Sequence, residues 1–184
     1  MTRIVGVSGS LRRKSFNTAL LNAARELAPA DVDFGIATIR DIPLYDGDLE
    51  AANGIPPAVT ALKDAIAGAD GLLMVTPEYN NGIPGVFKNA IDWASRPPAD
   101  IEKVFGGKKV AVIGASPGGF GTILAQSHWL PVLRTLEAQL WTGGRLMVAR
   151  AGTVFDAEGR LTDEAIRKRL QDFIAGFVAF VRGA

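Results

Sequence analysis

Short, wholly apolar runs alternate along this chain with longer stretches whose apolar residues recur at helical spacing. The runs at 4–7, 72–75 and 110–113 read IVGV, LLMV and VAVI and contain no polar residue. A strand that is apolar on both faces must be covered on both faces, which is typical of a parallel sheet between layers of helices. The pattern therefore predicts a doubly wound α/β fold.

The alternation resolves into five strands, predicted at 3–8, 32–39, 71–76, 109–115 and 146–151. The helices are predicted at 17–27, 58–67, 86–94, 123–140 and 163–181, the last with Asp163 near its N-cap. Residues 41–57 are predicted to form a long loop. Five such units favour a flavodoxin-like parallel sheet of order 2-1-3-4-5 with helices on both faces. At 184 residues without a repeat, we expect a single domain over 1–184.

Composition excludes several classes of function. The 20 basic and 19 acidic residues nearly cancel, so nothing draws the chain to nucleic acid or to an anionic bilayer. The absence of cysteine excludes disulfides, thiolate metal sites and cysteine nucleophiles. The N-terminal residues lack the pattern of a signal peptide, and no apolar stretch reaches the roughly 18 residues that span a membrane. We therefore expect a cytoplasmic protein.

The fold predicts where a ligand would bind before any motif is considered. In a doubly wound sheet, ligands lie beyond the carboxyl ends of the strands, where the winding direction reverses. Three segments follow strands one, three and four: loop 1 (residues 8–17), loop 2 (residues 77–84) and loop 3 (residues 116–121). We expect these three loops to converge on one site.

Loop 1 carries the chemistry of an anion site. The N-terminus of the following helix offers free N–H groups and the positive end of the helix dipole. Ser10, Ser15 and Asn17 supply further hydrogen-bond donors, and Arg12 is the cation expected nearest a phosphate, whereas the two cations after it are expected in solvent. The loop matches neither the dinucleotide nor the Walker A fingerprint. The alternative is an ordinary helix cap with exposed basic residues.

Loop 2 has the composition of a platform for a flat ring. Pro77 and Pro84 stiffen it, and between them lie Tyr79 and two asparagines that offer amide groups. A planar heterocycle with donor and acceptor edges suits such a surface. The alternative is a tight turn with Tyr79 packed into the core.

Taken together, these motifs resemble the NAD(P)H-dependent FMN reductase family, and within it the branch of bacterial chromate and quinone reductases. The resemblance rests on GSLR at 9–12 with Ser15 and Asn17, PEYN at 77–80, PG at 84–85 and KNAIDW at 88–93. The segments IPLYD at 42–46 and ASRP at 94–97 also fit, so the likeness covers most of the chain. Each tetrapeptide alone is weak, but the combination is specific.

The resemblance implies a cofactor and a set of residues that bind it. It implies FMN, with NADH or NADPH as electron donor. The phosphate would be held by Ser10, Arg12, Ser15 and Asn17. The isoalloxazine ring would be lined by Pro77, Glu78, Tyr79 and Asn80, and contacted from the other side by Ser116, Gly118 and Gly119. Asn81 and Arg96 would meet the nucleotide or the acceptor, although Arg96 is otherwise simply a surface arginine ending a helix.

The resemblance also implies a reaction and an assembly. A hydride would pass from the nucleotide to flavin N5, and an acceptor would then replace the nucleotide in a ping-pong cycle. Quinones, chromate, ferric chelates, azo or nitro compounds and free flavin are the implied acceptors, and the family implies a homodimer with shared sites. Two other functions stay open: a flavodoxin-type electron carrier, which the net charge of +1 argues against, and a flavin-free phosphosugar or nucleotide-binding protein.

Two further observations concern the stretch after loop 3. Related chromate reductases often carry an arginine and a tyrosine there, associated with tetramer contacts, and here Leu124 and Ser127 stand in their places. We therefore expect a dimer rather than a tetramer. His128 is the only histidine, so a transition-metal site around it is not expected, and a packing or interface role is favoured.

Overall fold

One parallel sheet organises the computed structural model of this chain, which describes residues 1–183; Ala184, the last residue of the predicted domain, lies outside the described residues. The strands are β1 (Thr2–Ser8), β2 (Val32–Ala37), β3 (Gly71–Val75), β4 (Lys109–Ala115), β5 (Gln139–Leu140) and β6 (Met147–Val148). Their order is β2-β1-β3-β4-β5, with β6 also pairing with β4, and every pair is parallel. The predicted flavodoxin-like topology is confirmed.

Helices cover both faces of this sheet. They are α1 (Phe16–Glu26), α2 (Gly47–Asn53), α3 (Pro57–Ala67), α4 (Gly85–Ala94), α5 (Ile101–Val104), α6 (Ile123–Thr135) and α7 (Glu164–Arg182), with 3₁₀ turns at Pro98–Asp100 and Ala151–Thr153. One apolar cluster joins α1 and α7 to one face, and a second joins α3, α4 and α6 to the other. Asp163 caps α7 as predicted, accepting the N–H of Ile166 at 2.9 Å. Within residues 1–183, no helix is both long and apolar enough to span a membrane.

The fifth position of the sheet differs from the prediction because two short strands share it. β5 pairs with the start of β4 and β6 with its end. Between them the chain leaves the sheet so that Trp141 packs on α7, its ring centroid 4.7 Å from that of Phe173. The helix predicted at 123–140 accordingly ends at Thr135, and the strand predicted at 146–151 is reduced to two residues.

Helix α2 lies within the segment predicted to be a loop at 41–57. Its N-cap is Asp46, whose side chain accepts the N–H of Asp48 at 2.9 Å. The helix buries none of its residues. A helix without a buried face has no apolar periodicity to reveal it, which is why the prediction missed it.

Candidate functional site

Loop 1 leaves the carboxyl end of β1 and leads into α1. Ser15 is the N-cap: its Oγ accepts the N–H groups of Asn17 at 3.2 Å and Thr18 at 3.3 Å. Within residues 1–183, the N–H groups of residues 13–16 have no acceptor. These four consecutive donors lie at the positive end of a helix, so the loop has the geometry of an anion site as well as that of a cap.

The predicted phosphate ligands Ser10 and Arg12 lie on the rim of this loop. The Oγ of Ser10 accepts the N–H of Arg12 at 3.3 Å, and the Arg12 side chain is exposed. A cavity of about 450 Å³ opens beside Arg12. It is lined by residues 12–16, by Gly152 and the turn at 155–159, and by three residues of α1, namely Thr18, Ala19 and Asn22. A volume of this size is within the range of small-molecule sites.

Asn17 has a structural role that could not be predicted from the sequence. Its side chain is 4% exposed and exchanges two hydrogen bonds with the backbone of Ala115: Nδ2 donates to the carbonyl, and Oδ1 accepts the N–H, both at 2.8 Å. The side-chain amide thus forms the pair of hydrogen bonds that a neighbouring strand would form, and it fixes the start of α1 to the end of β4. A phosphate contact by Asn17 stays a prediction, whereas its role in joining loop 1 to loop 3 is observed.

Loop 2 forms a tight hairpin turn that projects its side chains outward. Tyr79 and Gly82 exchange backbone hydrogen bonds of 3.2 and 3.0 Å across Asn80 and Asn81, which have φ values of 50° and 60°. Asparagine tolerates this left-handed region better than most residues. The Tyr79 side chain is 47% exposed, so the alternative that packed it into the core is wrong.

Glu78 connects loop 2 to the helix that follows loop 3. One oxygen of its carboxylate, Oε2, accepts the N–H groups of Leu124 and Ala125, each at 2.9 Å. These are first-turn donors of α6, whose own N-cap residue Thr122 supplies no side-chain cap. A carboxylate at this point stabilises the helix by capping and by its favourable interaction with the dipole. The position of Glu78 beside a flavin stays a prediction.

We expect Glu78→Ala to lower the free energy of unfolding by about 1–2 kcal/mol, the usual loss when a helix cap and its charge are removed. Glu78→Gln keeps an oxygen acceptor, so its free energy of unfolding should fall less than that of Glu78→Ala. Urea denaturation at pH 7 measures both, with the exposed Glu26→Ala as the control. If all three variants unfold at the same urea concentration, the contacts of Glu78 with α6 do not stabilise the fold.

Loop 3 is tied to the sheet at its start and open at its middle. The N–H of Ser116 donates to Val148 at 2.9 Å, and the Oγ of Ser116 accepts the N–H of Gly118 at 3.2 Å. No atom would lie within 4 Å of a Cβ on Gly119. With the Asn17 and Glu78 contacts, these bonds place the three predicted loops at one edge of the sheet. Pro77 is buried at the start of loop 2.

Arg96 lies away from these loops in a single chain. It follows α4, which starts after loop 2 and extends about 15 Å, so Arg96 is at the far end of that helix. Its Nε donates to Glu50 at 2.8 Å, and the Tyr45 hydroxyl donates to the same carboxylate at 2.9 Å. Within one chain Arg96 thus lies at the end of α4 that is far from loop 2. Its predicted contact with the nucleotide or the acceptor, which the resemblance allows to come from across a dimer, stays a prediction. The contact of Arg96 with Glu50 could not be predicted from the sequence, because Glu50 lies on α2, in the segment predicted to be a loop.

The Arg96 hydrogen bond holds the pKa of Glu50 below its ordinary value of 4.5. A carboxylate with a lowered folded-state pKa stabilises the fold above its unfolded pKa and loses this contribution as the pH falls through the folded value. We expect wild type to resist urea better than Glu50→Gln from pH 8 to about 5, with the gap closing under more acidic conditions. Urea midpoints across this pH series measure the effect, and a gap independent of pH would contradict it.

His128 is exposed on α6 beside loop 2. Its Nδ1 lies 3.8 Å from the point that a Cβ on Gly82 would occupy. In the described part of the chain, no group of three or more His, Cys, Asp or Glu side chains is placed to hold a metal ion. The packing or interface role predicted for His128 stays a prediction.

Comparison with known proteins gives this geometry a context. Residues 2–153 match the family model of NADPH-dependent FMN reductases. The chain is 44% identical over 180 residues to an NAD(P)H-dependent FMN reductase of Pseudomonas aeruginosa, covering 98% of this chain and 95% of that protein. It is also 44% identical over 180 residues to a 2-hydroxy-1,4-benzoquinone reductase from a Burkholderia species, covering 98% and 96%. The structure of FerB, a flavoenzyme NAD(P)H:(acceptor) oxidoreductase from Paracoccus denitrificans, superposes with a TM-score of 0.88 at 36% identity, covering 100% and 98%.

Proposed function

Because the chain belongs to the NADPH-dependent FMN reductase family, and is therefore an oxidoreductase that uses FMN and a nicotinamide nucleotide, we propose that it reduces quinone-class acceptors. The activities for which two relatives are named, benzoquinone reductase and NAD(P)H:(acceptor) oxidoreductase, support this class. The structural observation that supports a flavin enzyme is the row of N–H donors without an acceptor in loop 1, where the phosphate of FMN would bind.

The residues present fit FMN. The donors of residues 13–16 and the Arg12 guanidinium match the charge and the acceptor oxygens of a phosphate monoester. In the described residues, the N–H groups of Asn80 and Asn81 have no acceptor, and they would face the polar edge of the isoalloxazine ring. Ser116, Gly118 and Gly119 would contact the ring from loop 3, where Gly119 leaves open space.

When bound, FMN supplies the redox chemistry, taking a hydride from the nicotinamide nucleotide and giving two electrons to the acceptor. The chain itself positions the reactants. Loop 1 would hold the phosphate, while Asn17 keeps loop 1 against β4 and Glu78 keeps loop 2 against α6. The exposed side chain of Tyr79 would border the place where the nucleotide and the acceptor bind. The two would bind there one after the other, which is a ping-pong order. Such an open site would also admit chromate, ferric chelates, azo or nitro compounds and free flavin.

We further propose that the enzyme is a homodimer of single-domain chains and that it acts in the cytoplasm. Large apolar side chains are exposed next to loop 3 and along α6: Phe120 is 84% exposed, and Ile123, Leu124 and Leu130 are 41–49% exposed. A patch of this kind beside a site is typical of an interface. Across such an interface, the partner's copy of Arg96 would be the one to reach the nucleotide. Sedimentation equilibrium should give twice the mass of one chain, and a monomer would contradict the shared site.

The test of the function is a two-step anaerobic reaction. Protein loaded with FMN is mixed with NADPH or NADH, and we expect its visible flavin absorption to bleach rapidly, then to return when a benzoquinone is added. Free FMN with the same nucleotide is the control for uncatalysed reduction. A bound flavin that neither nucleotide bleaches would indicate an electron carrier instead, and a chain that takes up no FMN would exclude a flavoprotein.

A further inference from the structure

A small pocket lies on the opposite side of loop 1 from loop 2, against the end of β2. It has a volume of about 200 Å³ and is lined by hydroxyls and guanidinium groups, among them Ser10, Arg12, Arg13, Thr18, Thr38 and Arg40. This volume is smaller than that of sites that enclose a whole cofactor. It suits a single anionic group.

The charge of this pocket is unbalanced. Three arginines line it and no carboxylate does. Within residues 1–183, none of the three arginines forms an ion pair. Arg40 is nonetheless fixed in place, because its Nη2 donates to the Leu11 carbonyl at 3.1 Å and so holds it against loop 1. Guanidinium groups that line one pocket without an anionic partner repel one another, and a phosphate that accepts several of their hydrogen bonds offsets that repulsion.

The phosphate of FMN alone does not balance these cations. Arg12, Arg13, Lys14 and Arg40 contribute four positive charges around loop 1. A phosphate monoester carries at most about two negative charges at neutral pH. Moreover, the free N–H donors of residues 13–16 lie at the N-terminus of α1, whereas Arg40 follows the end of β2. The pocket thus offers room for a second phosphate group.

We propose that this pocket binds the 2′-phosphate of NADPH and makes NADPH the preferred electron donor. The inference rests on the proposed function, which supplies the nucleotide. β2 lies two strands from β3, about 10 Å across the sheet, so one dinucleotide can reach from loop 2 to the pocket. NADH lacks the 2′-phosphate and would leave Arg13 and Arg40 without an anionic partner in this pocket.

The test compares two nucleotide fragments that differ in this one group. Calorimetry on the FMN-loaded protein should show adenosine 2′,5′-bisphosphate binding at least tenfold more tightly than AMP. In Arg40→Ala the affinity for the bisphosphate should fall to that for AMP, and the KM for NADPH should rise about tenfold, towards that for NADH. Arg40→Lys should recover part of the difference. Arg25→Ala, an exposed arginine near the other end of α1, is the matched control and should behave as wild type.

Equal affinity of wild type for the two fragments would overturn the inference while leaving the reductase function intact. Loss of FMN from Arg40→Ala would also overturn it, because the pocket would then belong to the phosphate of FMN. Failure of the proposed function gives a different result, since neither nucleotide would then reduce the flavin in any variant.

Discussion

Asn17→Ala is expected to lower the free energy of unfolding by about 3 kcal/mol and the melting temperature by about 9 °C. The side chain of Asn17 is the hydrogen-bond partner of both the N–H and the carbonyl of Ala115, a residue only 2% exposed. Removing the amide leaves two buried backbone groups without partners, and each such loss costs about 1–3 kcal/mol. The same change frees loop 1 from β4, so the affinity for FMN should fall at least tenfold.

Urea denaturation of the apoprotein and an FMN titration measure these two effects. Asn22→Ala is the matched control, because Asn22 lies on the same helix, is only partly buried and makes no side-chain hydrogen bond within the described residues. We expect it to change the free energy of unfolding little. If Asn17→Ala and Asn22→Ala lowered the free energy of unfolding equally, the hydrogen bonds between Asn17 and Ala115 would not account for the loss.

Gly114→Ala is expected to cost about 3 kcal/mol, because the strand has no room for a methyl group there. A Cβ on Gly114 would overlap the Thr76 carbonyl oxygen and the Thr122 Oγ1, and it would lie 3.0 Å from the Thr122 Cβ. The Thr76 oxygen is backbone and cannot rotate away. Relief would push the residue before loop 2 away from the residue before α6, which widens the site between loops 2 and 3.

Gly85→Ala serves as the control for this substitution. Gly85 begins α4, and no atom lies within 4 Å of its would-be Cβ. Alanine in a helix is about 0.5–1 kcal/mol more favourable than glycine, so this variant should be neutral or slightly stabilised. The melting temperature and the FMN affinity of both variants measure the expected difference. A Gly114→Ala protein as stable as Gly85→Ala would contradict the close packing described at β4.

The sheet and its binding edge could be predicted because they follow from local patterns. Strands such as β3, apolar at every position, can only lie in the middle of a covered parallel sheet. Sheet topology then places loops 1, 2 and 3 together without knowledge of any side-chain contact. The start of α1 was likewise visible, because Ser15 is a residue type that caps helices.

The contacts that organise the site could not be predicted, because they join residues far apart in the chain. Asn17 and Ala115 are separated by 98 residues, and Glu78 lies 46 residues before Leu124. Arg40 reaches loop 1 from the end of β2, across 29 residues. Tyr79 shows a different limit: its sequence fits a packed turn and an exposed one equally well, and only the tertiary structure distinguishes them.

The anchoring of FMN through its phosphate is tested by titrating the apoprotein with FMN and with riboflavin, which has the same ring but no phosphate. Several charge-assisted hydrogen bonds from loop 1 should make FMN bind about 100-fold more tightly than riboflavin. Arg12→Ala should reduce this ratio of the two affinities. Equal affinity for the two flavins, or a ratio that Arg12→Ala leaves unchanged, would show that loop 1 is not the phosphate anchor.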